Sequence, residues 1–226
     1  RKLTGRLQDI RRPAGLRNTP LLIMVDQEGG LVKRLSGAPA VSAEEMGARG
    51  GAYSKRQGRL TGRNLKNAGF NVDLAPVLDV ARPGGNIADT DRGFGSTASK
   101  VKKTAIPFAE GLRSAGTAAT AKHFPGIGSI RVNTGDATQK VMLSKAALRK
   151  VDEAPYRSFI AAGGDLVMLS NATYPAFSSK PAAFSKEIVT GELRDRLGFD
   201  GVTITDSLEA VAAQSFGSSR RLTVAG

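Results

Sequence analysis

The chain has 226 residues, 40% hydrophobic and 23% charged, with 33 Lys and Arg against 20 Asp and Glu and a formal net charge of +13. That length allows one globular domain with a sizeable core. The absence of cysteine excludes disulfides and thiolate metal sites, a single histidine argues against a metal cluster, and no apolar run approaches the roughly 18 residues of a membrane-spanning helix.

The positive charge invites a polyanionic partner, such as nucleic acid, anionic lipid or a cell-wall polymer. It is scattered, however. Lys55, Arg56, Arg59, Arg63 and Lys66 fall on one expected helix, Lys100, Lys102 and Lys103 on another, and Arg220–Arg221 near the end, with no aromatic residues interleaved to stack bases. A solvated face is the simpler reading, and no nucleic-acid partner is expected. The chain does not begin with the charged-then-apolar pattern of a leader at Arg1, and a processed or trimmed product fits equally well.

Taken in order, the pattern alternates strand and helix. Residues 2–11 read as the tail of a helix. The apolar run 21–25 reads as a strand that ends on Asp26. Ser42 with Glu45 three residues on forms a capping box, opening a helical region that reaches Ala68 with a break at Gly50–Gly51, and Gly69 suits its C-cap. A strand at 70–75 runs on toward Asp79 and into a Gly/Asp/Asn-rich loop, 82–96. A helix over 99–114 ends at Gly116, and a strand at 117–121 ends on Lys122–His123. A second long loop, 124–142, precedes a helix capped by Ser144 that extends to Ala162. After Gly163–Gly164 comes a strand at 166–169 ending on Ser170–Asn171. Ser185 caps a helix to Leu197, Gly198 ends it, and a last strand, 201–205, ends on Asp206.

Strands separated by helices imply parallel pairing with right-handed crossovers. Polar groups at the C-terminal strand ends are where a (β/α) barrel builds its site. The fold class is therefore α/β, with strand ends arranged as in a (β/α) barrel. A closed barrel needs eight strands and only five are visible, so the barrel is expected to be incomplete at both ends, an open sheet, or completed by another chain in an oligomer. No repeat or low-complexity linker divides residues 1–226, which read as a single domain.

On the residues alone, Asp206 has two readings: a carboxylate fixed at a strand end, suited to nucleophilic catalysis, or an N-cap for the residues after it. Asp26, Arg34, Arg92, Lys122 and His123 combine carboxylate acceptors with cationic and imidazole donors, a set suited to hydroxyl and carbonyl oxygens. Each also has an ordinary structural role open to it: a loop cap for Asp26, a solvated charge for Arg34, pairing with Asp89 or Asp91 for Arg92, a core imidazole for His123. The glycines near these residues lack the spacing of a nucleotide-binding loop.

Four motifs in register carry a family resemblance. Lys122-His123-Phe124-Pro125-Gly126-Ile127-Gly128 resembles a signature of glycoside hydrolase family three, in its β-N-acetylglucosaminidase branch. So do Asp26-Gln27-Glu28-Gly29-Gly30-Leu31-Val32-Lys33-Arg34, the run from Asn71 to Val80 followed by Asp91-Arg92-Gly93-Phe94-Gly95, and Gly198-Phe199-Asp200-Gly201 leading to Asp206. The resemblance spans about Leu21 to Leu208. It implies a TIM-type (β/α) barrel, a family-three N-terminal-type catalytic domain and a retaining hydrolase of β-linked N-acetylglucosamine with Asp206 as nucleophile. Asp26, Arg34, Arg92, Lys122 and His123 would hold the sugar, and no cofactor is implied.

One departure stands out. The family branch carries an Asp-x-His dyad in the loop after the Lys-His strand, its histidine being the general acid/base. Here the loop holds Asp136 and, at the histidine position, Thr138, which cannot protonate a leaving group near neutral pH. Asp136 becomes the candidate acid/base, given a raised pKa in a closed loop. The expected function is hydrolysis of cell-wall-type glycans, bacterial peptidoglycan fragments among them. The alternative is a catalytically weak or inactive homologue that binds glycans or acts as a structural partner. The basic charge leans the location toward a secreted or cell-envelope setting, with the cytoplasm as the alternative.

Overall fold

A computed structural model describes residues 2–10, 15, 18–214 and 216. Helix α1 (Lys2–Gln8) is tied down at both ends: the Thr4 hydroxyl donates to the Ala68 carbonyl, and the Gln8 side chain exchanges hydrogen bonds with the Leu21 backbone. Strand β1 (Met24–Val25) leads into an antiparallel hairpin, β2 (Gln27–Gly29) and β3 (Val32–Lys33), that the sequence pattern does not reveal. Helices α2 (Ala43–Arg49) and α3 (Gly51–Ala68) follow. They are divided at Gly50, α2 is capped by Ser42, whose hydroxyl accepts from the Glu45 N–H, and α3 ends on Gly69 in the left-handed conformation, as expected. Then come β4 (Val72–Asp73), the short α4 (Asn86–Asp89) inside the first long loop, α5 (Ala98–Ser114) and β5 (Ala118–Phe124).

The single helix expected over 144–162 is three pieces. Ser144 caps α6 (Lys145–Ala147), the coil widens to π-helical turns over Leu148–Asp152, and α7 (Ala154–Ala161) restarts at Pro155, which has no N–H to continue the ladder. After β6 (Leu166–Leu169), a second wide-turn helix covers Glu187–Arg196, with the Ser185 hydroxyl accepting from the Ile188 N–H. Strand β7 (Val202–Thr205) and α8 (Val211–Gln214) end the described chain. Arg220 and Arg221 lie outside the described residues.

All five expected strands join one parallel sheet in the order β1-β4-β5-β6-β7. The order never reverses, so the sheet curls as an arc, a half-barrel of the TIM-barrel type. Helices α3 and α5 pack closely together, α5 also against β5 and α7. Their approach depends on two glycines. A Cβ at Gly58 would lie 2.1 Å from the Phe108 carbonyl oxygen, and one at Gly111 would lie 2.2 Å from that of Lys55. Phe108, Leu65 and Leu112 fill this seam, and Phe124, Tyr156 and Phe159 fill the space around β5 and α7, all within 1% of complete burial. With the helices screening one side, the strand ends are left to the cleft.

Candidate active site

A cleft of about 560 Å³ opens at the C-terminal ends of the strands and is lined by Asp26, Arg34, Arg92, Lys122, His123 and Asp206. Six of the seven residues singled out from sequence thus meet in one place. Asp136 does not line it; its neighbours Asn133 and Thr134 do.

The floor is a buried charge network. Lys122, on β5, is 2% exposed, with its Nζ 2.5 Å from Asp26 Oδ1 and 2.7 Å from Glu28 Oε1. Glu28, on β2, is equally buried and receives a paired grip from Arg92: Nε donates to Oε2 at 2.9 Å and Nη2 to Oε1 at 2.8 Å. Burial alone would raise the Glu28 pKa, but the Lys122 ammonium and the Arg92 guanidinium overcome it and hold it at about 2. Burial would likewise discharge Lys122 and Arg92, and here too the carboxylates prevail, Glu28 foremost, so both cations bind their protons more tightly than usual. The set is charged in the folded protein because each ion has its counter-ion in hydrogen-bond contact.

Beneath it lies Asp73, on β4 and fully buried. Its Oδ1 accepts the Gln27 N–H at 3.1 Å and its Oδ2 has no partner. Burial pushes this carboxyl well above the usual range; the Gln27 bond and Lys122 oppose the rise, Glu28 and Asp26 reinforce it. Two carboxyls in one network are therefore shifted in opposite directions, Glu28 down and Asp73 up.

His123 Nδ1 lies 2.8 Å from Asp79 Oδ2, while Asp79 Oδ1 accepts the Ile127 N–H at 2.8 Å and the His123 N–H at 3.4 Å. Asp79 is fully buried, so one carboxylate orients the imidazole and fixes the turn after β5. Arg34 is positioned through Gln27. The Gln27 amide donates to the Leu35 and Ala38 carbonyls, and its Oε1 accepts the Arg34 and Leu35 N–H groups.

Asp206 stands at the end of β7, and the next helix, α8, does not begin until Val211, so it is not a helix N-cap. Its N–H donates to the Leu169 carbonyl, extending the β6–β7 ladder, and its Oδ1 accepts the Ser207 N–H at 2.7 Å while the side chain lines the cleft. Asn171 secures the turn from the other side, its Nδ2 donating to the Ser207 carbonyl.

The loop after β5 is organised differently. Asn133 closes a turn, its carbonyl accepting from Asp136 and Ala137 and its side chain from Gly135. The Thr134 and Gly135 carbonyls accept from Ala212 and Val211 of α8. Asp136 and Thr138 are both exposed along this loop.

Glu28 and Asp79 are not assigned by the sequence reading, although both sit inside the motifs that carry the resemblance. For Glu28 the available signal is its spacing: two residues after Asp26 in an extended segment, it falls on the same face. For Asp79 it is the same strand-end position that marks Asp26 and Asp206.

Comparison with known proteins identifies the family. The family model described as "Glycosyl hydrolase family 3 N terminal domain" matches residues 3–225. An "Uncharacterized secreted glycosyl hydrolase" of Arthroderma benhamiae is 41% identical over 205 residues, which is 88% of this chain and 58% of that protein. A beta-hexosaminidase of Stenotrophomonas maltophilia is 34% identical over 209 residues, 88% of this chain and 61% of its own length. This chain thus spans about three fifths of those two relatives. Among solved structures, a glycoside hydrolase family 3 beta-N-acetylglucosaminidase from Paenibacillus sp. str. FPU-7 superposes with a TM-score of 0.90 at 36% identity, covering 99% of this chain and 44% of that one. NagZ from Neisseria gonorrhoeae gives 0.85 at 26% identity, covering 99% and 66%.

Proposed function

This chain belongs to glycosyl hydrolase family 3, and from that premise we propose that it is a retaining hydrolase of β-linked N-acetylglucosamine in cell-wall-type glycans. The observation that carries the reading is the shared cleft: a carboxylate at the end of β7 faces a preformed set of hydroxyl-binding groups. In this reading Asp26, Arg34, Arg92, Lys122 and His123 hold the sugar. Asp206 attacks the anomeric carbon as the glycosidic bond breaks, the leaving oxygen takes a proton, and water then displaces Asp206 to release the sugar. Asp136 is the candidate donor of that proton and acceptor of one from the water. The relatives named beta-hexosaminidase and beta-N-acetylglucosaminidase support the choice of sugar.

The test compares aryl β-N-acetylglucosaminide with aryl β-glucoside. Preference for the former by at least about tenfold in kcat/KM is expected, because a site that hydrogen-bonds an extra group rejects the analogue lacking it. Equal rates overturn the sugar assignment. A second reading, a homologue that binds glycans with little or no turnover, is favoured by Thr138 at the dyad position and by the exposure of Asp136 away from the cleft wall. Intact sugar binding with no turnover of either substrate would select it.

A further inference from the structure

The wide turns at Leu148–Asp152 bring basic residues together away from the cleft. Lys102 on α5, Arg149 and Lys150 on the wide turns, and Arg157 with Ser158 on α7 line a groove of about 440 Å³ whose lining holds no acidic residue. None of these residues lines the sugar cleft.

The local ion pairs leave three of the groove's four cations uncompensated. Arg149 meets Glu192 at 2.5 Å, and Arg196 takes up the other oxygen of Glu192 and Glu153 besides, so two carboxylates answer two arginines. Lys102, Lys150 and Arg157 have no carboxylate within ion-pair distance among the described residues. Three such cations around one concavity concentrate positive potential there, on a protein whose net charge is already +13. Ala146 and Ala154 complete the lining with short side chains that leave the concavity open to a chain-like ligand.

We propose that this groove binds an anionic polysaccharide, holding its carboxylate or phosphodiester groups on Lys102, Lys150 and Arg157. Nucleic acid is disfavoured because the groove has no aromatic residue on which a base would stack. The choice of a polysaccharide rests on the glycan reading of the cleft: a second grip on the same polymer raises the local concentration of cleavable linkages. The anion site itself stands on the groove alone.

The experiment uses the 226-residue chain and three probes: polygalacturonate, a phosphodiester-bearing mannan and a single-stranded oligothymidylate. Binding is measured at low and at near-physiological salt for wild type, for K102A/K150A/R157A, and for the charge-matched control R56A/R59A/R63A on α3. Wild type should bind at least one of the two non-nucleic polymers, more weakly as salt screens the charges. The groove variant should lose roughly 10–100-fold in affinity while the control loses far less. Hydrolysis of a small aryl N-acetylglucosaminide is recorded in parallel and should be the same in all three proteins. Equal losses in groove and control variants would reduce the effect to net charge and overturn the site. Tighter binding of the oligothymidylate than of either polymer, lost in the groove variant, would overturn the polysaccharide assignment. Absence of aryl hydrolysis in wild type together with groove-dependent polymer binding would sink the catalytic reading and leave the groove proposal standing.

Discussion

Lys122 and Glu28 on the cleft floor are each 2% exposed and hold one another, Asp26 and Arg92 through direct ion pairs, whereas Asp136 stands exposed on the loop after β5, outside the cleft wall. The floor grows from strands of the parallel sheet and the adjoining hairpin. The loop is held by its own turn and by two backbone bonds to α8. The contrast separates two tasks of a glycosidase. The groups proposed to hold the sugar are preorganised; Asp136, the proposed proton donor, is not, and the loop would have to bring it to the cleft.

The sharpest way to break the comparison is at Asp206. Asp206→Ala should lower turnover by at least about 10³-fold, since the covalent route is lost, with sugar binding largely kept because the floor is untouched. A fluorinated mechanism-based sugar should label Asp206 in wild type, and labelling at another residue would sink the assignment. Next in size is the leaving group. General acid catalysis contributes about 10²–10⁴-fold when the leaving group is poor, so efficiency should hold on nitrophenyl substrates and fall by that order on natural disaccharides. Asp136→Asn should widen the gap and Thr138→His narrow it. Equal efficiency on both substrates in wild type would mean that a competent acid lies elsewhere.

Glu28→Gln attacks the floor itself. Removing the charge leaves Lys122 and Arg92 without their shared counter-ion, and breaking such a buried pair costs about 3–5 kcal/mol. Chemical denaturation should record that loss, and sugar binding should weaken with it. The native Glu28 should also be visible in acid. Its pKa falls from 4.5 to about 2 on folding, so its contribution, roughly 3 kcal/mol, is complete above pH 4.5 and is lost as pH falls toward 2. Glu28→Gln should flatten that part of the stability curve. The smallest effect is expected at Asp73. Its folded pKa is raised, so it favours the native state fully only below the ordinary carboxylate range and loses that contribution as pH rises through the raised value. Asp73→Asn imitates the protonated form and should change stability by less than about 1 kcal/mol under mildly acidic conditions while lessening the decline as pH rises. A large loss under those mildly acidic conditions would show that Asp73 is needed as an anion.

Much of the fold and most of the cleft are legible in the amino-acid sequence. The strand ends announce themselves because a buried parallel strand is an unbroken apolar run, and a charged residue can follow it only where the chain reaches solvent or a counter-ion. Asp26, Lys122 and Asp206 stand out for that reason. Helix limits at Ser42, Gly69 and Ser144 are readable because capping chemistry is local. The 27–33 hairpin is hidden since its residues do not alternate in polarity, and so are the widened turns at 148–152 and 187–196, because helical periodicity is insensitive to one extra residue per turn. Pairings across the fold are beyond reach altogether: Glu28 meets Arg92 64 residues away, and His123 meets Asp79 44 residues away, distances that no local pattern encodes.

Gln27 illustrates how little freedom such a framework leaves to evolution. Its amide is buried with both ends committed, the nitrogen facing two carbonyls and the oxygen facing two N–H groups. Glutamate, though the same shape, would set an anionic oxygen against those carbonyls, and asparagine would be one methylene too short to span the same partners. Only one side chain answers all four neighbours at once. A descendant that loses it must redraw the path of residues 34–38, and with it the place from which Arg34 reaches the cleft.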